Sequence, residues 1–158
     1  IHGGRSLSIY RSGTPQTELI VSMAKAVRKI TSNIEENYKY VKELNTILKN
    51  ELKQYSKVVI NSTEKSIPHI LNISILGIKP ETFVHSLENY DVYISTKSAC
   101  SKSGESSLSV FSVTKDESRA SSSVRISISY KTTKKDIEEF IKIFDKCYKE
   151  LEGLNENN

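Results

Sequence analysis

Tryptophan is absent from this 158-residue chain, methionine occurs once, proline three times and cysteine twice. Each shortage narrows the class of protein. The two cysteines, Cys100 and Cys147, have no C-x-x-C spacing, so a disulfide-stapled scaffold is not expected and a reducing cytoplasm is the expected location. The three histidines, His2, His69 and His85, are scattered, and no metal site is expected from them. No apolar run approaches the ~20 residues a membrane-spanning helix needs, and neither a signal peptide nor a membrane partner is expected. The net charge of +4, from 23 basic and 19 acidic residues, is spread along the chain and gives no nucleic-acid footprint.

What remains is the composition of a polar globular domain: 37% hydrophobic and 27% charged residues over a length sufficient for one core. The chain opens at Ile1 without an initiator methionine and is expected to be a piece of a longer polypeptide.

From residue 15 to about 55, apolar residues recur at spacings of three and four. Leu19, Ile20, Met23, Ala24, Val27 and Ile30 form one series; Ile34, Tyr38, Val41, Leu44, Leu48, Leu52 and Tyr55 continue it. The pattern predicts two helices, a break around residues 31–33, and a stripe that faces the core. Thr14 and Pro15 read as the helix start, with Thr14 as N-cap. A helix N-terminus beside Arg11 is either a plain cap or an anion site.

Residues 58–60 and 70–75 are β-branched runs and read as strands, with His69 in the turn before the second. A short helix is predicted from Pro80 to about Asn89 with Phe83, Val84 and Leu87 inward, followed by a short strand at residues 92–94. Leu108, Val110 and Phe111 suggest a brief ordered segment, and residues 115–120 a polar or helical turn. Residues 123–130 alternate strictly, placing Val124, Ile126, Ile128 and Tyr130 on one face and Arg125 on the other. Arg125 there either idles in water or binds a carboxylate with its planar fork. Thr133 and Asp136 form a capping box. Ile137, Phe140, Ile141, Phe144, Tyr148 and Leu151 then hold helical spacing to Gly153, with Cys147 packed among them. The sum is an α+β fold: a small, mostly antiparallel sheet packed against helices.

One stretch differs from the rest. Seven of the fifteen residues from 95 to 109 are serine, and Cys100 stands among them between Lys97 and Lys102. Such a segment buries too little apolar surface to offset ordering, so it reads as a mobile, solvated loop. Neighbouring cations favour the thiolate. Cys100 is either a tethered nucleophile or an incidental surface cysteine.

Four stretches in order resemble the C-terminal part of the NifS/IscS-type cysteine desulfurases, within the class V aminotransferase group. They are HGG at 2–4 with RSGT at 11–14, IPHILNIS at 67–74, STKSACS at 95–101, and SSVRISIS at 122–129 followed by Thr132 and Thr133. The resemblance implies the small domain of a fold-type I pyridoxal-phosphate enzyme, with residues 1–14 as a connecting segment at the cofactor site and residues 15–158 as the domain. It implies a homodimer that converts L-cysteine to L-alanine and hands a persulfide to a sulfur-acceptor protein, for iron–sulfur clusters or tRNA thiolation. By the same resemblance Cys100 is the catalytic cysteine, Arg125 binds the substrate carboxylate, and Thr14 reaches the cofactor phosphate of the partner subunit. Lys97 stands where the family usually has glycine. The family's Schiff-base lysine has no counterpart between Ile1 and Asn158, so this chain alone is expected to be inactive and not to hold the cofactor. The alternatives are a selenocysteine lyase or sulfinate desulfinase with the same Arg125, and a non-catalytic sulfur-relay module.

Overall fold

The computed structural model describes Tyr10, residues 12–96 and residues 106–156, with side chains as far as Gly153. The chain divides into two compact units, Ile1–Glu36 and Asn37–Asn158.

The first unit contains α1 (Thr17–Thr31). Its N-cap is Gln16, whose carbonyl accepts from the Ile20 N–H at 3.1 Å, and no side chain caps the helix. Thr14 is therefore not the N-cap that the Thr-Pro pair predicted: the helix opens two residues later, with Gln16 as cap and Thr17 as its first residue. The apolar stripe of α1 is also not core. Leu19, Ile20, Met23, Val27 and Ile30 are 52–65% exposed, and α1 buries none of its residues. Helical spacing fixes which side of a helix is apolar; it is silent on what lies against that side.

The predicted break falls at Ser32 and Asn33, and α2 (Ile34–Leu52) follows. Its stripe is exposed at Ile34 and Tyr38 but completely buried at Val41, Leu44, Leu48 and Leu52. Three strands form one antiparallel sheet in the order β1 (Val58–Ile60), β2 (Ile70–Ile75), β3 (Ser123–Ser127). The register sets Ile60 opposite Ile73, Leu71 opposite Ile126, and Ile73 opposite Val124. Because side chains alternate along a strand, Leu71, Ile73, Ile75, Val124 and Ile126 share one face, and all are buried. Each contributes about 1.5–3 kcal/mol by leaving water.

That face joins α2, α3 (Pro80–Glu88) and α6 (Lys134–Glu156) in one core. Phe144 is its centre: fully buried, with its ring 5.0 Å from Phe83 and 5.1 Å from Tyr55, centroid to centroid. Cys147 is fully buried beside it, as the helical spacing predicted. Gly77, at φ +81°, makes the turn that lets Ile78 N–H bond back to Ile75 at 3.2 Å, a conformation that glycine adopts freely.

The capping box is reciprocal: Asp136 N–H donates to Thr133 Oγ1 at 3.1 Å, and Thr133 N–H donates to Asp136 Oδ2 at 2.8 Å. Gly153 does not close α6, which continues to Glu156; a helical glycine costs about 1 kcal/mol, too little to stop a well-packed helix. The alternation from 123 to 130 outlasts its strand: the ladder ends at the pair Ile70–Ser127, and past it the Ile128 N–H still donates to the His69 carbonyl at 2.9 Å. Tyr130 is consequently 48% exposed. Among the described residues no helix is long and apolar enough to cross a membrane.

Candidate functional site

The second face of the sheet is polar. Asn72 lies directly opposite Arg125 in the β2–β3 ladder, and Ser74 opposite Ser123. Asn61, just past β1, donates its N–H to the Asn72 carbonyl at 2.9 Å. On the far side of β3, Ser95 and Arg125 exchange backbone hydrogen bonds of 3.1 and 2.6 Å. The sequence placed a strand at 92–94; pairing among the described residues is instead a single bridge, at Ser95. A row of Asn61, Asn72, Arg125 and Ser95 thus crosses the sheet.

Two short helices, α4 (Leu108–Thr114) and α5 (Glu117–Ser121), follow the serine-rich stretch. Ser107 Oγ caps α4 through Val110 N–H, and Asp116 caps α5 through Arg119 N–H. The stretch expected to be loop as far as 109 therefore ends in a helix that begins at Leu108. Ser74 Oγ donates to the Arg119 carbonyl at 2.7 Å, which fixes α5 over the polar face.

A cavity of about 560 Å³ opens on this face, lined by Asn61, Asn72, Thr96, Ser107 and Arg125 among others. Arg125 is the only charged residue among the described lining residues. It is half-buried, and its guanidinium makes no hydrogen bond or ion pair with any described residue. Such a group is always protonated and presents five N–H donors and no acceptor. A half-desolvated guanidinium without a described hydrogen-bond or ion-pair partner, facing hydroxyls and amides across this cavity, suits a small anion, above all a planar carboxylate that can take two parallel hydrogen bonds. A second cleft, of about 380 Å³, meets Arg125 from the side of Glu81, His85 and Ile94.

Of the three site residues the sequence nominated, Arg125 lies in this cavity. Cys100 lies outside the described residues, as do Lys97, Lys102 and Arg11. The chain on either side of Cys100 is described, and both Thr96 and Ser107 line the Arg125 cavity. Thr14 belongs to the first unit, where it is exposed and follows Gly13 at φ +109°.

Sequence reasoning missed Asn61, Asn72 and Arg119, which form one hydrogen-bonded group. Arg119 donates to Asn61 Oδ1 from Nε at 2.9 Å and from Nη2 at 2.7 Å, and Nη2 also reaches the Ile60 carbonyl at 3.2 Å. Asn61 Nδ2 donates to Asn72 Oδ1 and to Ser74 Oγ, each at 2.7 Å. The polar positions Asn72 and Ser74 inside the ILNISI run were the available signal.

Comparison with known proteins places the chain by family and fold. The profile of the family described as Aminotransferase class-V matches residues 5–140. A NifS/IcsS protein homolog of Lactobacillus delbrueckii subsp. bulgaricus is 33% identical over 156 residues, 97% of this chain and 40% of that protein. The cysteine desulfurase IscS of Buchnera aphidicola subsp. Baizongia pistaciae is 32% identical over 157 residues, 98% of this chain and 38% of that protein. The X-ray structure of a NifS-like protein from Rickettsia africae superimposes with a TM-score of 0.77 at 31% identity, covering 94% of this chain and 39% of that one. The chain spans about 40% of the length of the curated relatives it matches.

Proposed function

The chain belongs to the class-V aminotransferase family, and from that premise we propose that it is the C-terminal small domain of a pyridoxal-phosphate-dependent cysteine desulfurase. The observation that carries the proposal is the cavity around Arg125. A guanidinium without a described partner lies on its wall, and Thr96 and Ser107, which flank the segment bearing Cys100, both line it. Cys100 lies five residues along the chain from Ser95, which is bridged to Arg125, a span of at most ~18 Å. A carboxylate anchor and a thiol tethered within reach of it are what removal of sulfur from an amino acid requires.

Arg125 binds the carboxylate of L-cysteine and fixes the direction of its side chain. The Cys100 thiolate attacks the substrate sulfur. A sulfur–sulfur bond forms, the substrate carbon–sulfur bond breaks, its electron pair stays on carbon, and a proton taken up there gives L-alanine. The persulfide remains on Cys100 for an acceptor protein. When bound, pyridoxal phosphate supplies the electron sink for that bond cleavage. This chain offers it the Thr14 hydroxyl, which is exposed and makes no hydrogen bond with any described residue, so it suits a phosphate oxygen of the partner subunit's cofactor in a homodimer. By the same proposal residues 1–14 connect to the cofactor site, residues 15–158 form the small domain, and the protein works in the cytoplasm. Residues 1–158 alone neither hold the cofactor nor turn over.

The test is the full-length protein with L-cysteine, assayed for alanine, beside its Arg125→Ala and Cys100→Ala variants. Loss of alanine formation in both, with cofactor colour retained, supports the proposal. A cofactor-bound wild type that leaves L-cysteine untouched rejects it.

A further inference from the structure

The hydrogen-bond group on the polar face carries a direction. A guanidinium only donates, so Arg119 forces the carbonyl oxygen of the Asn61 side chain toward itself, accepting at 2.9 and 2.7 Å. The opposite orientation would set N–H against N–H. With its oxygen committed, Asn61 turns its NH2 to Asn72 Oδ1 and to Ser74 Oγ, both at 2.7 Å. Ser74 can accept there because its own proton goes to the Arg119 carbonyl. Asn72 must then present oxygen to Asn61, which leaves its NH2 as the free end. That NH2 bonds to no described residue, and Asn72 lines the cavity as the cross-strand partner of Arg125. The Asn72 backbone is pinned as well, its N–H to Ser62 Oγ at 2.9 Å and its carbonyl to Asn61 N–H at 2.9 Å.

We infer that Arg119 and Asn61 are positioning residues that fix the amide of Asn72 with its NH2 toward the cavity, making Asn72 the second donor of the carboxylate site beside Arg125. Polarity passes from a cation through two amides, so the cavity receives a donor although the Nε and Nη2 of Arg119 point to Asn61 and Ile60. A carboxylate has lone pairs left after a two-pronged contact with one guanidinium, and an adjacent NH2 satisfies one of them. A lone guanidinium tolerates several orientations of the anion in its plane; the second donor selects one, and with it the direction of the substrate side chain. This inference rests on the proposal that the cavity binds the carboxylate of an amino acid.

The test reverses the polarity without removing the side chains. In Asn61→Asp the new carboxylate still accepts from Arg119, but it has no NH2 to give. Asn72 must then offer its NH2 to that carboxylate and turn its oxygen to the cavity. In Arg119→Met the constraint on Asn61 disappears; Arg119→Lys keeps a donor-only cation. Each variant is made in the full-length protein and its folding is checked by thermal unfolding. KM and kcat for L-cysteine are measured, and L-alanine and L-alaninamide, which lacks the carboxylate, are titrated by calorimetry.

We expect Asn61→Asp to raise KM for L-cysteine and Kd for L-alanine by about tenfold, the scale of one hydrogen bond to a charged group. The kcat and the alaninamide affinity should stay within about twofold. Arg119→Met should move the same way, and Arg119→Lys should restore most of the loss. Unchanged KM and Kd in a folded Asn61→Asp protein overturns the inference. A loss shared equally by alanine and alaninamide overturns it too, because the pair would then be structural only. A wild type that binds L-alanine through its carboxylate yet never converts cysteine defeats the desulfurase proposal and leaves this inference standing.

Discussion

Arg125→Ala separates function from stability, because the side chain it removes holds nothing within the described structure. The guanidinium is without a described partner, whereas the backbone of Arg125 carries the bridge to Ser95 and the ladder to Asn72. Deleting the side chain leaves those hydrogen bonds in place and uncovers no buried polar atom. Stability should therefore change by less than about 0.5 kcal/mol. Substrate binding should suffer far more. Two charge-assisted hydrogen bonds are worth about 1.5–3 kcal/mol each; Arg125 is only half-buried, which brings the pair to about 3 kcal/mol, or about 150-fold in kcat/KM. The carboxylate carries the same charge before and during carbon–sulfur cleavage, so its anchor is felt equally in both states and the loss should fall on KM. The assay is steady-state alanine formation from L-cysteine by the full-length protein, with thermal unfolding in parallel. Arg125→Lys, a point charge without the fork, should recover only part of the loss. A kcat/KM within threefold of wild type would refute the reasoning, and so would a large drop in unfolding temperature.

Three further outcomes follow from the fold. Phe144→Ala empties the centre of the aromatic cluster and should destabilise the second unit by about 3–5 kcal/mol, seen as faster hydrogen exchange at the β2 amides; unchanged exchange would mean that Phe144 is not central. Tyr55, pushed up to about 12 chiefly by burial and then by Asp145 beside it, keeps its proton when folded above the unfolded value of 10.0. Its contribution is complete below that value and is lost as pH rises from about 10 to 12, so Tyr55→Phe should flatten the fall in stability over that window; equal slopes would count against it. Thr133→Ala should cost about 1 kcal/mol and raise exchange in the first turn of α6 about fivefold, while rates in the sheet stay the same.

The legible parts of the molecule were those set by local periodicity. Val41, Leu44, Leu48 and Leu52 recur every three or four residues and are all fully buried, and Val124 and Ile126 alternate into the same core. Thr133 and Asp136 announced α6 because a capping box acts over three residues. Where the periodicity was right and burial wrong, as at Leu19, Met23 and Val27, the missing information was the neighbour. The Ser95 bridge could not be located to the residue, since one pair of hydrogen bonds leaves no alternation to count. Arg125 was visible as a polar residue on an alternating strand, but its lack of a described partner was not. The Arg119–Asn61–Asn72 chain was invisible for a stronger reason. Its members lie 58 and 11 residues apart in sequence, and only the sheet register and the placement of α5 bring them together.

The most direct measurement of the desulfurase proposal is sulfur balance in the full-length protein given L-cysteine under reductant, beside its Cys100→Ala variant. The wild type should release alanine and sulfide in equal amounts, and before reductant is added it should carry one labile sulfur per Cys100. The variant should keep the cofactor and the fold and make neither product. Equal turnover by the variant, or a labile sulfur that resides elsewhere, would contradict the role given to Cys100 and to the cavity beside it.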